Sequence, residues 1–429
     1  METSYNNDLN MNVVARKHAM TAQKIAQNGN GHAYANGGAH TNGDEGGRLT
    51  NGQGPTQGYE KGKDGSTLST PWIGQVLTCC IAGVVFGFTL EKGRVFEPLI
   101  IQEQMTFQRF VMIKMFFAAV ASSQACFSLM SLIPATASRV SMVRDTFIDC
   151  MTEKSVISTA IGASLLGAGM AICGACPGQI AIQIGHGVPN SVVTFFGGCC
   201  GALLYGLTES YVTASTKPSH PYRVHRLDEV LSLPFALSAT FVTALLVVII
   251  YVLDLFAPWQ LELTTPINKD AASVFSMNAW PPYLSGAIVG CLQVPIVLAL
   301  NRPLGSSGSY CTITSRLFPV KLLKVVSPYL YRSRSGLVNW WQVIYLSCAV
   351  GGAYYSALLS GSVATTPGTP WITSFTGGLV MIYGSRMAGG CTCGHGLSGT
   401  GMLSLLSFVA VPFMFVGGVA TAAVTSFVQ

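Results

Sequence analysis

The chain alternates long apolar blocks with short polar connections, and the blocks fall at 72–90, 110–133, 155–176, 190–213, 235–257, 281–300, 339–360, 371–388 and 400–427. Each is close to the roughly twenty residues that span a bilayer as a helix, which predicts nine transmembrane helices rather than buried helices of a soluble core. The first block starts about seventy residues from Met1 and has no charged stretch just before it, so a cleaved signal peptide is not expected. Residues 1–70 are different. They are polar and rich in Gly and Asn, as in "NGNGHAYANGGAHTNGDEGGRLTNGQG". With too few apolar side chains to offset the entropy of ordering, they predict a disordered cytosolic tail. His18, His32 and His40 within it are too scattered for a metal site.

Within 71–429 the chain repeats itself. "GAGMAICGACPG" (167–178) ends the third block and "GSRMAGGCTCGHG" (384–396) ends the eighth, each placing Met-Ala before a cluster of Gly and Cys. "GFTLEKGRVFEP" (87–98) and "LALNRPLGSSGSYC" (298–311) form a weaker pair at the ends of the first and sixth blocks. Partners five blocks apart are separated by an odd number of crossings, so the copies face opposite ways across the membrane. That is the inverted-repeat plan of transporters whose sites form near the midplane, where broken helices of both halves meet. The expected fold is an all-α polytopic membrane protein of about nine transmembrane helices plus short re-entrant half-helices. Repeat one covers about 71–213, a linking helix 235–257, and repeat two about 281–429.

Composition agrees with a membrane domain: half of the 429 residues are apolar and 10% are charged, against the roughly a quarter usual in soluble domains. The net charge of +6 raises the question of nucleic acid, but the position of the charges answers it. Loops on the side of the N-terminus hold twelve Lys and Arg (Arg139, Arg144, Lys154, Lys217, Arg223, Arg226, Arg302, Arg316, Lys321, Lys324, Arg332 and Arg334). The opposite loops hold four, Lys92, Arg94, Arg109 and Lys269. The positive-inside bias then puts the N-terminus in the cytosol and the C-terminus outside, across the plasma membrane, and a basic cytosolic face leaves no role for nucleic acid. Seven of the thirteen cysteines (Cys79, Cys80, Cys126, Cys199, Cys200, Cys291 and Cys348) lie within apolar blocks and read as small packing residues.

The remaining chemistry gathers at the two broken helices. Glycines and Pro177 there release backbone amides inside the membrane, where only protein or a water-filled cavity can receive them. Helix breaks also present N–H groups and a positive dipole end to an anion, although small residues serve close helix packing equally well. Arg386 would be costly in the bilayer, by roughly 2.5–3.5 kcal/mol, unless it has a partner. Glu91, Glu97 and Glu209 are candidates, as is a bound anion. His395 either bonds backbone at a helix end or carries protons. "CGAC" (173–176) and "CTC" (391–393) with His395 admit three readings: a soft-metal site, a redox CxxC pair, or neutral thiols donating S–H hydrogen bonds to a polarizable anion. Apolar burial keeps a thiol protonated, which favours the anion reading.

"GACPG" and "GSRMAGGCTCGHGLSGTG" resemble the bacterial sulfur-transport family YeeE/YedE, whose members import thiosulfate. The likeness spans about 71–429 and is strong only at these motifs. It implies a non-enzymatic carrier without cofactor or metal, in which thiosulfate passes between cysteines of the inverted halves: here Cys176 and Cys391. Gly178, Gly390, Arg386 and His395, read from the residues themselves, complete the expected binding site. It leaves room for a soluble sulfur-accepting partner on the cytosolic face. Three departures limit the transfer. Cys393 stands where the family usually has serine. The copies align with Cys176 opposite Cys393 on Met-Ala but opposite Cys391 on Gly-x-Cys, and the latter is preferred. The family's further cysteine after the first helix is absent from "GRVFEP", where Phe96 and Glu97 occur, so Cys311 of the second half is the candidate substitute. A soft-metal transporter and a membrane enzyme handling sulfane sulfur are the rival readings.

Overall fold

The computed structural model describes residues 71–152, 154–217, 224–268 and 273–428. The polar tail over 1–70 lies outside them. Among the described residues no strand forms. The helices are α1 Trp72–Lys92, α2 Pro98–Met105, α3 Val111–Leu132, α4 Pro134–Thr152, α5 Val156–Cys173, α6 Gln179–His186, α7 Ser191–Thr216, α8 Leu227–Leu231 and α9 Phe235–Phe256. They continue as α10 Pro282–Cys291, α11 Gln293–Leu300, α12 Gly308–Arg316, α13 Val320–Val326, α14 Pro328–Arg332, α15 Leu337–Ser360, α16 Trp371–Ala388 and α17 Leu405–Val428. A π-helical segment, Thr392–Gly399, lies between the last two.

Among the described residues eight helices are long and apolar enough to cross a membrane: α1, α3, α5, α7, α9, the α10–α11 pair, α15 and α17. The eighth apolar block, 371–388, also folds as a helix, α16, but Arg386 and its many Gly, Ser and Thr residues leave it less apolar. Block ends move where the backbone breaks. The third block stops at Cys173 because Gly174 turns left-handed at φ 62, and the last begins at Leu405 after the π-helical turn. Between the spans sit the expected half-helices α2, α6 and α12, with the π segment as the fourth.

Helix packing obeys a two-fold exchange. Swapping α1 with α10–α11, α3 with α15, α5 with α16 and α7 with α17 turns the α1–α15 contact into α3–α10 and the α5–α17 contact into α7–α16. The α5–α16 contact returns to itself, and these five are the most extensive among the described residues. α5 and α16 cross antiparallel, Gly162 against Gly384–Ala388 and Gly169 against Gly377–Met381, so closely that a Cβ at either glycine would strike the facing backbone. Small residues thus do the packing that the hydrophobic effect cannot do in lipid. α9 stands outside the exchange, packed on α3, with 17% of its apolar window buried, which leaves most of its surface for lipid.

Candidate functional site

The two broken helices end in the same way. α5 is capped by Gly174 at φ 62 and α16 by Gly389 at φ 92, a left-handed conformation that glycine adopts without a Cβ penalty. Two residues beyond each cap comes a cysteine, Cys176 or Cys391, and then a new helical segment starts. The Gly-x-Cys register therefore pairs like with like. Gly178 precedes α6 at its N-cap, and Cys391 occupies the N-cap of the π segment.

These starts converge. Cys391 Sγ lies 3.2 Å from Ser306 Oγ, in the turn that precedes α12. A methyl placed on Gly178 would stand 3.5 Å from that same hydroxyl and 3.6 Å from Cys393 Sγ. Tyr310, on α12, donates from its hydroxyl to the Pro177 carbonyl at 2.9 Å, which ties the first repeat's turn to the second repeat's half-helix. Cys176, Cys391 and Cys393 are all buried, at 6%, 1% and 6% exposure. The Thr392 hydroxyl reaches between the sulfurs of Met170 and Met414, at 3.6 Å to each. Tyr345 packs against Phe86 at a tilt of 42° with ring centroids 5.1 Å apart, and its buried hydroxyl has no hydrogen-bond partner among the described residues. Three helix starts, whose first-turn backbone N–H groups have no partner within their own helix ladder, thus face one small region lined by thiols and hydroxyls. Among the described residues no three His, Cys, Asp or Glu side chains stand close enough to share a metal ion.

The other candidates are distributed differently. Cys311 sits one turn into α12 with its sulfur 4.0 Å from the Tyr329 hydroxyl. That hydroxyl also accepts from Arg386 Nε at 2.7 Å, while Arg386 Nη1 donates to Ser307 Oγ at 3.2 Å. Cys311 therefore belongs with Arg386 and Tyr329, one layer away from Cys391. None of Glu91, Glu97 and Glu209 forms an ion pair with Arg386 among the described residues; its partners are neutral hydroxyls. His395 is 3% exposed and uses both ring nitrogens, Nε2 on the Ala388 carbonyl at 3.1 Å and Nδ1 on Ser407 Oγ at 3.0 Å. The first bond needs a proton on Nε2, so Nδ1 accepts from the serine. The ring then clamps the π segment to the ends of α16 and α17, and Gly390 leaves room for it: a Cβ there would meet His395 Cδ2 at 2.9 Å.

Sequence reasoning missed Ser306, Tyr345 and Tyr310, which carry no motif of their own. It also treated Glu91, Lys92, Arg94 and Glu97 as loop charges or as partners for Arg386. They form a buried cluster with His186, every member at 2% exposure or less. The available signal was the run "LEKGR", which packs opposite charges directly against the end of an apolar block.

A family model described as sulphur transport matches residues 92–420. A protein named thiosulfate transporter TsuA from Escherichia coli strain K12 is 24% identical over 281 residues, 61% of this chain and 72% of its own. Another of that name, from Spirochaeta thermophila, is 21% identical over 364 residues, 80% of this chain and 96% of its own. A shorter protein from Xylella fastidiosa strain 9a5c, named a probable transporter, is 30% identical over 143 residues, 33% of this chain and 92% of its own.

Proposed function

The chain belongs to the sulphur transport family, and on that premise we propose that it carries thiosulfate, or a closely related sulfur oxyanion, through the gap where its two broken helices meet. The observation that carries this reading is that the turn holding Cys176, Pro177 and Gly178 in one half meets Ser306, Tyr310 and Cys393 of the other, where Ser306 touches Cys391, at helix starts from both inverted halves. Thiosulfate has a soft terminal sulfur and a charged sulfonate end. Neutral thiols are weak S–H donors that suit the first, and helix N-termini suit the second. Weak donors have a kinetic advantage in a pathway, since an ion must leave each station as readily as it enters. Beyond the thiols, Arg386 on its bed of hydroxyls is the next station for the anion, with Cys311 at its side. His395 holds the π segment in shape.

In this reading the chain transports its substrate without converting it. The N-terminus is cytosolic and the C-terminus external, across the plasma membrane, in keeping with the charge of the loops. A soluble sulfur-accepting partner on the cytosolic face would keep the internal concentration low. Such help matters, because bringing a dianion in against 100 mV costs about 4.6 kcal/mol, twice the roughly 2.3 kcal/mol for one charge.

The test is uptake of labelled thiosulfate into proteoliposomes, set beside sulfate, sulfite and selenite. Cys176→Ala and Cys391→Ala should each abolish thiosulfate uptake without loss of folded protein. Full activity in either variant would remove the thiols from the pathway, and a preference for sulfate would replace the substrate.

A further inference from the structure

The transport reading makes no use of the charges buried after α1. Glu91, at the end of α1, receives the Ser356 hydroxyl of α15 at 2.5 Å on Oε2 and the Ser362 hydroxyl at 3.2 Å on Oε1. Lys92 Nζ stands 3.8 Å from Oε2, and Arg94 Nη1 stands 3.9 Å from Oε1. Lys92 Nζ also donates to the Ser356 carbonyl at 3.2 Å. Glu97 is bound by Arg94 and by the Thr264 hydroxyl. Two carboxylates and two cations cancel. The fifth member decides the sum: His186 Nδ1 lies 3.4 Å from Glu91 Oε1, aligned too poorly for a hydrogen bond, while its Nε2 meets Thr366 Oγ1 at 3.2 Å. The Phe96 ring covers the imidazole, with centroids 4.4 Å apart.

The cluster is also joined to the thiols. His186 ends α6, and two earlier side chains of that short helix, Gln179 and Gln183, connect its other end to the same loop. Gln179 accepts from the Cys176 N–H at 2.9 Å and donates to the Val95 carbonyl at 2.8 Å. Gln183 donates to the carbonyls of Phe96 at 2.8 Å and Gly174 at 2.9 Å. One rigid element therefore spans the Cys176 turn and the Glu91–His186 contact.

We infer that the Glu91–His186 pair is the proton-binding site of this transporter, loaded from the face that α1 reaches last, and that a proton bound there travels inward with the anion. The inference rests on the transport reading and on its orientation. Among the described residues Nδ1 is the ring nitrogen without a hydrogen bond, and a proton placed on it points at a carboxylate that is already buried. Loading takes the cluster from neutral to singly positive in a site of low dielectric, where it attracts a dianion entering the thiol region. The reverse must hold with equal strength: a bound anion tightens the proton. Lys92 and Arg94 oppose loading while Glu91 and Glu97 favour it, so the site releases its proton once the anion has gone.

The experiment uses proteoliposomes with the membrane potential clamped and a pH gradient imposed. For the wild type, each unit of external acidity should raise the thiosulfate accumulation ratio up to tenfold for one coupled proton, and a thiosulfate pulse should alkalinise the outside. In Glu91→Gln and His186→Gln the accumulation ratio should no longer follow the gradient, while tracer exchange at equal pH on both sides continues. Ser362→Ala leaves both side chains of the pair in place and removes one donor to Glu91 together with a bond to Ser360; it should stay coupled. A wild-type ratio indifferent to the gradient overturns the inference, and so does wild-type coupling in both Gln variants. Failure of the wild type to take up thiosulfate at any gradient would instead overturn the transport reading.

Discussion

Gly178 is where one added carbon separates folding from function. Its φ of −78 and ψ of −36 suit any residue, and a methyl would meet Phe86, Ser306 and Cys393 at ordinary van der Waals distances of 3.4 to 3.6 Å. Gly178→Ala should therefore keep or slightly raise thermal stability in detergent, as such replacements gain about 0.4–1 kcal/mol where the backbone permits. Uptake should fall at least tenfold, because the methyl occupies the gap between the repeats. His395→Ala should do the opposite. It strands the Ala388 carbonyl and the Ser407 hydroxyl, at about 1–3 kcal/mol for each buried group left unpaired. A lowered melting midpoint by differential scanning fluorimetry checks this, and an unchanged midpoint would return His395 to the list of proton carriers. The two principal cysteines were legible because they sit in a repeated motif. Ser306 and Tyr345 were not, since their importance comes only from what a distant segment brings against them. Cys311 stands out only by its place in the repeat, and the fold sets its turn of helix beside Tyr329 rather than beside Cys391.

At the level of elements the apolar blocks predicted every helix long and apolar enough to cross a membrane among the described residues, but not the polar α4 of 19 residues, and their glycines predicted the breaks. The sequence did not reveal which glycines break a helix and which let two helices touch. Gly174 and Gly389 do the first; Gly83, Gly87 and Gly352 between α1 and α15, and Gly286 and Gly290 between α3 and α10, do the second. Only the facing backbone distinguishes them. Gly384→Leu should consequently cost more than a cavity-neutral core change, since α5 cannot retreat from α16 without opening the crossing, and overpacking alone costs about 1–3 kcal/mol. Loss of the monodisperse peak in size-exclusion chromatography is the expected readout. The related interface α3–α10 carries Cys126 and Cys291 with sulfurs 3.9 Å apart. Mild oxidation should link them, and linked protein should still take up thiosulfate, because the crosslink joins two helices that their glycine contacts already hold together. Uptake that stops on oxidation and returns on reduction would show that this interface slides.

For the molecule as a whole, the inverted repeat was readable from two short motifs, while the buried charges were lost in a tally of loop residues. Glu91 and His186 are ninety-five positions apart in the chain, and nothing local announces their meeting. Arg386 has a further consequence at this scale. Its guanidinium rests on Tyr329 and Ser307, with no carboxylate paired to it among the described residues, so on the proposed pathway it would hold a standing positive potential one layer from Cys391. Such a potential turns back hydronium and alkali ions as effectively as it welcomes anions. A cell could then keep this protein in its membrane at high copy number without draining its ion gradients through it, and Arg386→Gln vesicles should lose an imposed pH gradient faster than wild-type vesicles when thiosulfate is absent.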